Sequence, residues 1–188
     1  MAKLKQIRDA KKTRAAILAA ATKSFTANGF RGASISDIAN AVGVSKSSIY
    51  HHFASKDALL HALIDPFARD IDLLLAAAAT EELSVKEFLM AYTDTLLAHL
   101  EVVQLGSIIM AGAPPEVLKI AENQRDKTLK VLVRGTPTKE KILRAKLALS
   151  SLTMTVAPPV RSTSPSVTKS DVRLLVKIAL DILGERGT

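Results

Sequence analysis

The sequence predicts an all-α protein of about nine helices, with a small N-terminal head and a larger helical body. Apolar residues recur with the 3.6-residue period of amphipathic helices along almost the whole chain, and no strand-like alternation persists. Charge is unevenly placed: residues 1–56 contain ten Lys or Arg and two acidic residues, whereas the remaining residues contain sixteen of each. A basic segment beside a neutral one indicates a polyanion-binding head on a separate body.

The first helix of the head is predicted to run from about Lys11 to Ala27. Asn28-Gly29 follows it, a pair typical of a left-handed helix cap. The basic stretch from Lys3 to Lys12, taken by itself, is interpreted as a solvated tail.

Residues 34–56, SISDIANAVGVSKSSIYHHFASK, predict two short helices joined by a turn. Ser34 and Asp37 have the spacing of a capping box, Gly43 allows the chain reversal, and Ser45 can cap the following helix. This arrangement is a helix-turn-helix, whose second helix fits the major groove of duplex DNA.

The second helix of this unit has an apolar and a polar side. Ile49 and Phe53, four residues apart, are expected to fix it to the core. The other side presents Lys46, Ser47, Ser48, Tyr50, His51 and His52. Lysine and tyrosine suit phosphate contacts, and serine, histidine and lysine can also reach base edges.

The body is predicted to contain six further helices, over residues 55–79, 84–100, 102–111, 115–134, 138–156 and 169–184. Pro66 interrupts the first of them and is expected to kink it. Ser84 and Glu87 form a capping box, and a polar Pro/Ser/Thr loop is expected over 157–168. The predicted domains are residues 1–55 and 56–188.

The segment GASISDIANAVGVSKSSIYHHFASKDALLHAL, with FTANGF before it, resembles the N-terminal segment of TetR-type transcriptional repressors. In that family, three N-terminal helices bind DNA, and about six further helices bind a ligand and form a homodimer. The resemblance covers about residues 12–64. The remaining two-thirds of the chain resembles the family only in the number and length of its helices.

The resemblance implies DNA contacts position by position. Tyr50 matches a phosphate-contacting tyrosine, Lys56 matches a lysine that contacts the DNA backbone, and Ser36 occupies a place often held by arginine. The DNA-binding residues expected on this basis are Ser34, Ser36, Lys46, Ser47, Ser48, Tyr50, His51, His52 and Lys56. Because Ser47 and Ser48 are short, few bidentate base contacts are expected, and specificity is expected to depend partly on DNA shape.

Two sets of body residues are candidates for ligand binding and for a dimer interface, with packing in an ordinary core as the alternative for each. Bulky or polarizable residues are core candidates, of which two or three would line a ligand pocket: Phe67, Phe88, Met90, Tyr92, His99 and Met110. The last two helices are apolar beyond the single stripe that a surface helix needs. The dimer interface expected there includes Leu143, Leu147, Leu175, Ile178 and Leu183.

These observations predict a homodimeric repressor that a small hydrophobic effector releases from a palindromic operator. One alternative is a DNA-binding regulator without an effector, controlled by a protein partner or by abundance. The other is an enzyme in the helical body, but the sequence contains no nucleophile motif, phosphate loop or metal-ligand spacing.

Composition adds several exclusions. The chain has no cysteine, which excludes disulfides and thiolate zinc sites, and no cofactor or metal is expected. No signal peptide is recognised, and the longest apolar run, Leu73 to Ala79, is too short to cross a bilayer. A cytoplasmic protein without membrane contact is therefore expected.

Overall fold

A computed structural model of the chain describes residues 2–80, 83–158 and 167–185. Within these ranges the chain forms nine α-helices and one 3-10 turn and contains no strand, which confirms the all-α prediction. The helices are α1 (Ala2–Gly32), α2 (Ile35–Val42), α3 (Lys46–His52), α4 (Lys56–Ala79), α5 (Val85–Ala98), α6 (Leu100–Ile109), α7 (Pro115–Leu132), α8 (Lys139–Val156) and α9 (Val172–Leu183), with the 3-10 turn at Met110–Gly112. Of the predicted 157–168 loop, residues 159–166 lie outside the described ranges.

Helix α1 begins at Ala2 rather than near Lys11, so that the stretch interpreted as a solvated tail has a helical backbone. Neither glycine nor proline interrupts residues 2–28, and alanine, lysine and arginine are strong helix formers. The helical geometry breaks at Gly29, where φ is 69° and ψ is 170°, and one further helical turn follows. The predicted interruption of the helix at Gly29 is therefore confirmed, but Gly29 does not adopt the left-handed cap conformation.

The two predicted capping boxes form to different extents. At α5 the box is complete: the Glu87 N–H donates to the Ser84 hydroxyl oxygen, and the Ser84 N–H donates to the Glu87 carboxylate at 2.8 Å. At α2 only half forms, because the Asp37 carboxylate accepts from the Ser34 hydroxyl at 2.6 Å instead of from the Ser34 N–H. Aspartate is one methylene shorter than glutamate, which limits how far its carboxylate reaches back.

The chain divides into two compact units. The first, called the head below, comprises residues 1–66 and 105–117; the second, the body, comprises residues 67–104 and 118–188. This division falls inside α4, whereas the predicted boundary lies between residues 55 and 56. The division follows Pro66 directly, although α4 runs through this proline without ending.

The core of the head joins α1, α2, α3 and the start of α4. Its fully buried side chains include Ile17, Phe25, Ile38, Ile49 and Leu60. Burying a side chain of this size contributes about 1.5–3 kcal/mol relative to leaving it exposed. This packing fixes the orientation of the two short helices.

The core of the body is formed mainly by α5, α8 and α9. Phe88 and Leu152 are almost completely buried, and the Phe88 and Tyr92 rings stack with centroids 6.0 Å apart. Helix α7 is joined to α4 by Gln124, whose side-chain amide donates to the Ala68 carbonyl at 2.8 Å. No helix within the described ranges is long and apolar enough to cross a membrane.

Candidate nucleic-acid interface

Helix α3 is fixed at both ends. Gly43 has φ 74° and ψ 33°, the left-handed conformation that lets the chain reverse after α2. Ser45 caps α3 by accepting from the Ser48 N–H at 3.1 Å. Ile49 is fully buried and Phe53, which follows the helix, is 4% exposed, so the predicted anchoring of this helix is confirmed.

The opposite side of α3 is polar and faces solvent. The Tyr50 side chain is 52% exposed, and Lys46 and Ser47 are also exposed. His51 is exposed, while His52 is half-buried with its ring edge-on to that of His51, at 5.6 Å. The residues that the sequence predicted as a DNA-reading surface of α3 therefore lie on one short helix, with Ser48 at its half-buried margin.

Some of the predicted contact residues already have partners. The Ser47 hydroxyl shares a hydrogen bond with the Ser45 hydroxyl at 2.8 Å, and the Ser34 hydroxyl donates to Asp37. In the described part of the chain, neither Lys46 nor Tyr50 has a side-chain hydrogen bond or ion pair with another residue. Ser36 is half-buried on α2. Lys46 and Tyr50 are therefore the side chains with donors most directly available to a ligand.

Lys56 occupies a place that the sequence did not predict. Its ammonium donates to the carbonyl oxygens of Phe30, Arg31 and Ala33 at 2.8, 3.4 and 3.1 Å, and lies 4.6 Å from the centroid of the Phe30 ring. These three bonds use all three donors of a lysine ammonium, which leaves none for a phosphate in this conformation. The signal for this role is the end of α1, since terminal helix carbonyls attract cations.

Arg14 makes a contact that sequence reasoning also missed. Its guanidinium lies 4.8 Å from the centroid of the Phe53 ring, which places this part of α1 beside the C-terminal end of α3. A cation above an aromatic face is attracted by the negative charge of the ring face. The contact therefore joins α1 to the segment that ends α3.

The positive charge of the head is not neutralised by ion pairs. Among its described side chains, the only ion pair joins His61 and Asp65, at 3.4 Å, and no Lys or Arg lies within ion-pair distance of a carboxylate. The net charge of +8 that the sequence places in residues 1–56 therefore remains available to a polyanion.

The six predicted ligand residues do not converge on one cavity. Phe88 and Tyr92 belong to the packed core, where burial raises the pKa of the Tyr92 hydroxyl and a hydrogen bond with Thr153 partly opposes the shift. The rings of Phe67 and His99 lie 5.6 Å apart. His99 also contacts the Asp70 carboxylate at 2.7 Å.

The last two of these ligand candidates lie elsewhere. Met90 borders an open groove of about 600 Å³ between α5 and α9. Met110 belongs to the head.

A second groove of the body lies between α4 and α7 and has a volume of about 840 Å³. Its floor is apolar, with Leu75, Ala78 and Val131, while Lys127 and Lys130 stand at its edge. Its other lining residues are Asp72, Ala76, Ala79, Val133, Arg134 and Gly135. None of the six ligand residues predicted from the sequence borders this groove.

Helices α8 and α9 leave an apolar surface uncovered. Its residues, called the α8/α9 surface below, are Leu143, Leu147, Met154, Leu174 and Ile178, which are 47–62% exposed. Leu175 and Leu183, which were predicted for the same interface, are half-buried and pack against the core of their own chain.

Comparison with known proteins finds matches to the N-terminal part of the chain. Residues 17–63 match the family model described as bacterial regulatory proteins, tetR family. Over 56 residues the chain is 45% identical to the HTH-type transcriptional regulator UidR of Escherichia coli K12, an alignment that covers 30% of this chain and 29% of UidR. Over 74 residues it is 36% identical to TtgR of Pseudomonas putida, covering 39% and 35%. The chain thus matches less than two-fifths of the length of these curated relatives.

The fold as a whole is similar to solved structures of regulators. SCO3833 of Streptomyces coelicolor A3, a TetR-family member, matches with a TM-score of 0.69 over 92% of this chain and 91% of its own, at 21% identity. NalD of Pseudomonas aeruginosa, the secondary repressor of the MexAB-OprM efflux pump, matches with a TM-score of 0.64 over 93% and 96%, at 19% identity. At such identities the likeness extends to the fold alone.

Proposed function

We propose that this chain, which belongs through its N-terminal domain to the TetR family of bacterial regulatory proteins, is a DNA-binding transcriptional repressor. It acts as a homodimer on a palindromic operator and is released by a small-molecule effector. The observation that carries the proposal is the exposed polar side of α3, held on a rigid core within a head of uncompensated positive charge.

Helix α3 would enter the major groove. Lys46 and Tyr50, one helical turn apart and without partners among the described residues, would contact phosphates on the groove edge. Ser48 and His51, on the same helix, would contact base edges. Since these side chains offer few bidentate contacts, recognition would rely in part on sequence-dependent DNA shape.

The DNA-binding proposal can be tested by selecting bound sites from a random duplex pool and measuring affinity for the selected site. Lys46→Gln should flatten the plot of log affinity against log salt by about 0.9 per subunit, or about 1.8 for the dimer, as expected for one lost phosphate contact in each subunit. Tyr50→Phe should weaken binding about tenfold per subunit, or about 100-fold for the dimer, since a lost hydrogen bond to a charged group costs about 1.5 kcal/mol in each subunit. Lys119→Gln, which removes an exposed charge from α7 in the body, is the control. Unchanged binding by both head variants would contradict the proposal.

The α8/α9 surface supports the homodimer. Contiguous exposed apolar patches on soluble proteins mark interaction sites, and two copies of this helix pair would form a four-helix interface. A dimer is also what a palindromic operator requires, because its two half-sites are related by the same twofold symmetry.

Leu147→Glu should convert the dimer into a monomer, measured by light scattering on a sizing column. It should weaken operator binding by about 100-fold or more, because one subunit then binds one half-site. Leu73→Glu is the matched control, since Leu73 is a leucine of α4 that is 64% exposed. A dimer that persists in Leu147→Glu would refute this interface.

For the effector we propose an amphipathic organic anion in the α4–α7 groove. The apolar floor would accept a hydrocarbon chain, and Lys127 and Lys130, which have no ion-pair partner among the described residues, would bind its acidic group. Arg134 at the same edge already donates to the Leu83 carbonyl at 2.6 Å and would add its charge without moving. This proposal adds an acidic group to the small hydrophobic effector expected from the sequence.

Decanoate and decanol, used at equal concentrations, separate the charge from the hydrocarbon chain. Decanoate should raise the melting temperature and release operator DNA, and decanol should do so much less. Lys127→Gln with Lys130→Gln should abolish the difference, while Lys119→Gln should keep it. If decanoate has no effect on the wild-type protein, this effector site is refuted, and a regulator controlled by a protein partner or by abundance becomes the better proposal.

A further inference from the structure

Four charged side chains form a row along one side of α9, called the α9 charge row below. They are spaced four residues apart and are all exposed: Arg173, Lys177, Asp181 and Glu185. All four border the groove between α5 and α9, which places them on the same side of the helix. The helix ends at a left-handed glycine, Gly184, and the Glu185 N–H donates to the Leu180 carbonyl at 3.0 Å. This bond holds Glu185 at the helix end, so the row continues past the last helical turn.

The charges of this row have no partner within the described part of the chain. None of the four side chains makes an ion pair there, although Lys177 and Asp181 are one helical turn apart. Four exposed charges without partners on one side of a helix are available to a charged surface of another molecule.

The order of the charges along the row is positive, positive, negative, negative, which is complementary to its own reverse. An antiparallel second copy of α9 would place Arg173 opposite the partner's Glu185 and Lys177 opposite the partner's Asp181. The twofold axis would then cross α9 at the level of Ala179. A parallel copy would instead place like charges opposite each other, which is unfavourable.

The α9 charge row borders the α8/α9 surface. Side chains four residues apart form ridges on a helix, and consecutive residues belong to neighbouring ridges. Arg173 is followed by Leu174 and Lys177 by Ile178, and both apolar residues belong to the exposed α8/α9 surface. An apolar centre with a charged margin is the usual composition of a protein–protein interface.

We propose that the α9 charge row selects the partner of the α8/α9 surface, and that this partner is a second copy of the chain with its α9 antiparallel. This inference rests on the proposed function, since it requires the homodimer. The apolar side chains supply affinity but would accept many apolar surfaces. The charges restrict pairing to a chain whose row has the complementary order, because a mismatched row brings like charges together.

The test uses two charge-reversal variants of the full chain. The acidic variant carries Arg173→Glu and Lys177→Glu, and the basic variant carries Asp181→Lys and Glu185→Lys. Each variant has a row of one sign, so its homodimer should be weakened about 100-fold or more at about 0.15 M salt, measured by light scattering on a sizing column. Mixed together, the two variants should form a heterodimer, since every opposed pair is then of opposite sign. Native mass spectrometry identifies this species because the two chains differ in mass.

Two control variants on α7 match these changes in net charge. Lys119→Glu with Arg125→Glu matches the acidic variant, and Glu122→Lys with Asp126→Lys matches the basic one; all four residues are exposed. Both controls should dimerise like the wild type. In about 1 M salt, where charges are screened within about 3 Å, the acidic and basic variants should recover much of their self-association.

The outcomes separate this inference from the homodimer itself. If the acidic and basic variants dimerise alone as tightly as the wild type, or if their mixture gives a statistical distribution of the three dimers, the charge row does not select the partner and the inference is overturned. A mixture that remains monomeric overturns the antiparallel pairing. In each of these cases a dimeric wild type leaves the proposed function intact. If the wild-type protein is itself a monomer, the homodimer of the proposed function fails together with the inference.

Discussion

The head and the body have similar interiors and different surfaces. Both bury leucine, isoleucine and phenylalanine side chains between helices. On its surface, α3 of the head presents a tyrosine, a lysine, serines and histidines, whereas α8 and α9 of the body present six large apolar side chains, Ile142 and the five of the α8/α9 surface. A charged, hydrogen-bonding surface suits a hydrated polyanion, and an apolar surface suits a second protein surface that excludes water. The surface of each unit therefore indicates the kind of partner that it binds.

Substitutions in the two cores are expected to have the largest effects. Ile49→Ala in the head and Leu152→Ala in the body each remove a buried aliphatic side chain, and each should cost about 2–5 kcal/mol. Ile49→Ala should abolish specific DNA binding and leave the dimer intact. Leu152→Ala should weaken the dimer, because α8 carries the proposed interface.

Amide hydrogen exchange reports this difference residue by residue. Protection should fall in the unit that carries the substitution and persist in the other. A uniform loss of protection from either variant would show that the two units unfold as one, which would contradict their description as separate units.

Within the head, Lys56→Met distinguishes a residue that stabilises the fold from residues that contact DNA. It removes three hydrogen bonds to carbonyls at the end of α1 and should destabilise the protein by about 1–3 kcal/mol. Its salt slope on operator DNA should equal that of the wild type, whereas Lys46→Gln should keep its stability and lose slope. A reduced salt slope with an unchanged melting temperature for Lys56→Met would instead show that this residue contacts a DNA phosphate.

The capping serines allow a smaller test, because α2 of the head has half a capping box and α5 of the body has a complete one. Ser84→Ala and Ser34→Ala remove equivalent hydroxyl hydrogen bonds and should each cost about 1 kcal/mol, within the usual range for a lost N-cap. Glu87→Ala also removes the bond from the Ser84 N–H and should therefore cost more than Asp37→Ala. Urea unfolding at pH 7 measures both. An equal or larger cost for Asp37→Ala would mean that the bond from the Ser84 N–H to the Glu87 carboxylate adds nothing.

The smallest expected effect is a pH dependence of the cap of α5. Hydrogen bonds from the Ser84 hydroxyl and N–H lower the pKa of the Glu87 carboxyl from its ordinary value of 4.5. Because the folded pKa is depressed, the stabilisation is present above about pH 4.5 and is lost as the pH falls through the lowered value. Glu87→Gln should make this part of the urea midpoint independent of pH, and a profile identical to that of the wild type would contradict it.

Much of the head was predictable because its signals are local. Gly43 marks the turn and Ser45 the cap, and the four-residue spacing of Ile49 and Phe53 fixes which side of α3 is buried. The start of α1 was missed because helix-forming residues continue upstream of Lys11 without a stop signal. The role of Lys56 was missed because its partners lie more than twenty residues away in the sequence.

In the body, the sequence distinguished exposed from buried apolar residues less well than in the head. The apolar residues of α8 and α9 exceed one helical stripe, so periodicity alone did not separate Leu147, which is exposed, from Leu175, which packs inward. The six ligand residues predicted from the sequence do not line one cavity for a similar reason. Periodicity did not show that Phe88 and Tyr92 fill the core.

By itself the sequence determined the all-α class, the helix-turn-helix and the concentration of positive charge in the head. These properties depend on neighbouring residues, through helical periodicity, capping and composition. The tertiary structure decided which leucines of α8 and α9 remain uncovered, that Lys56 binds the end of α1, and that Arg14 lies against Phe53. These outcomes depend on segments distant in sequence that become neighbours only when the cores pack.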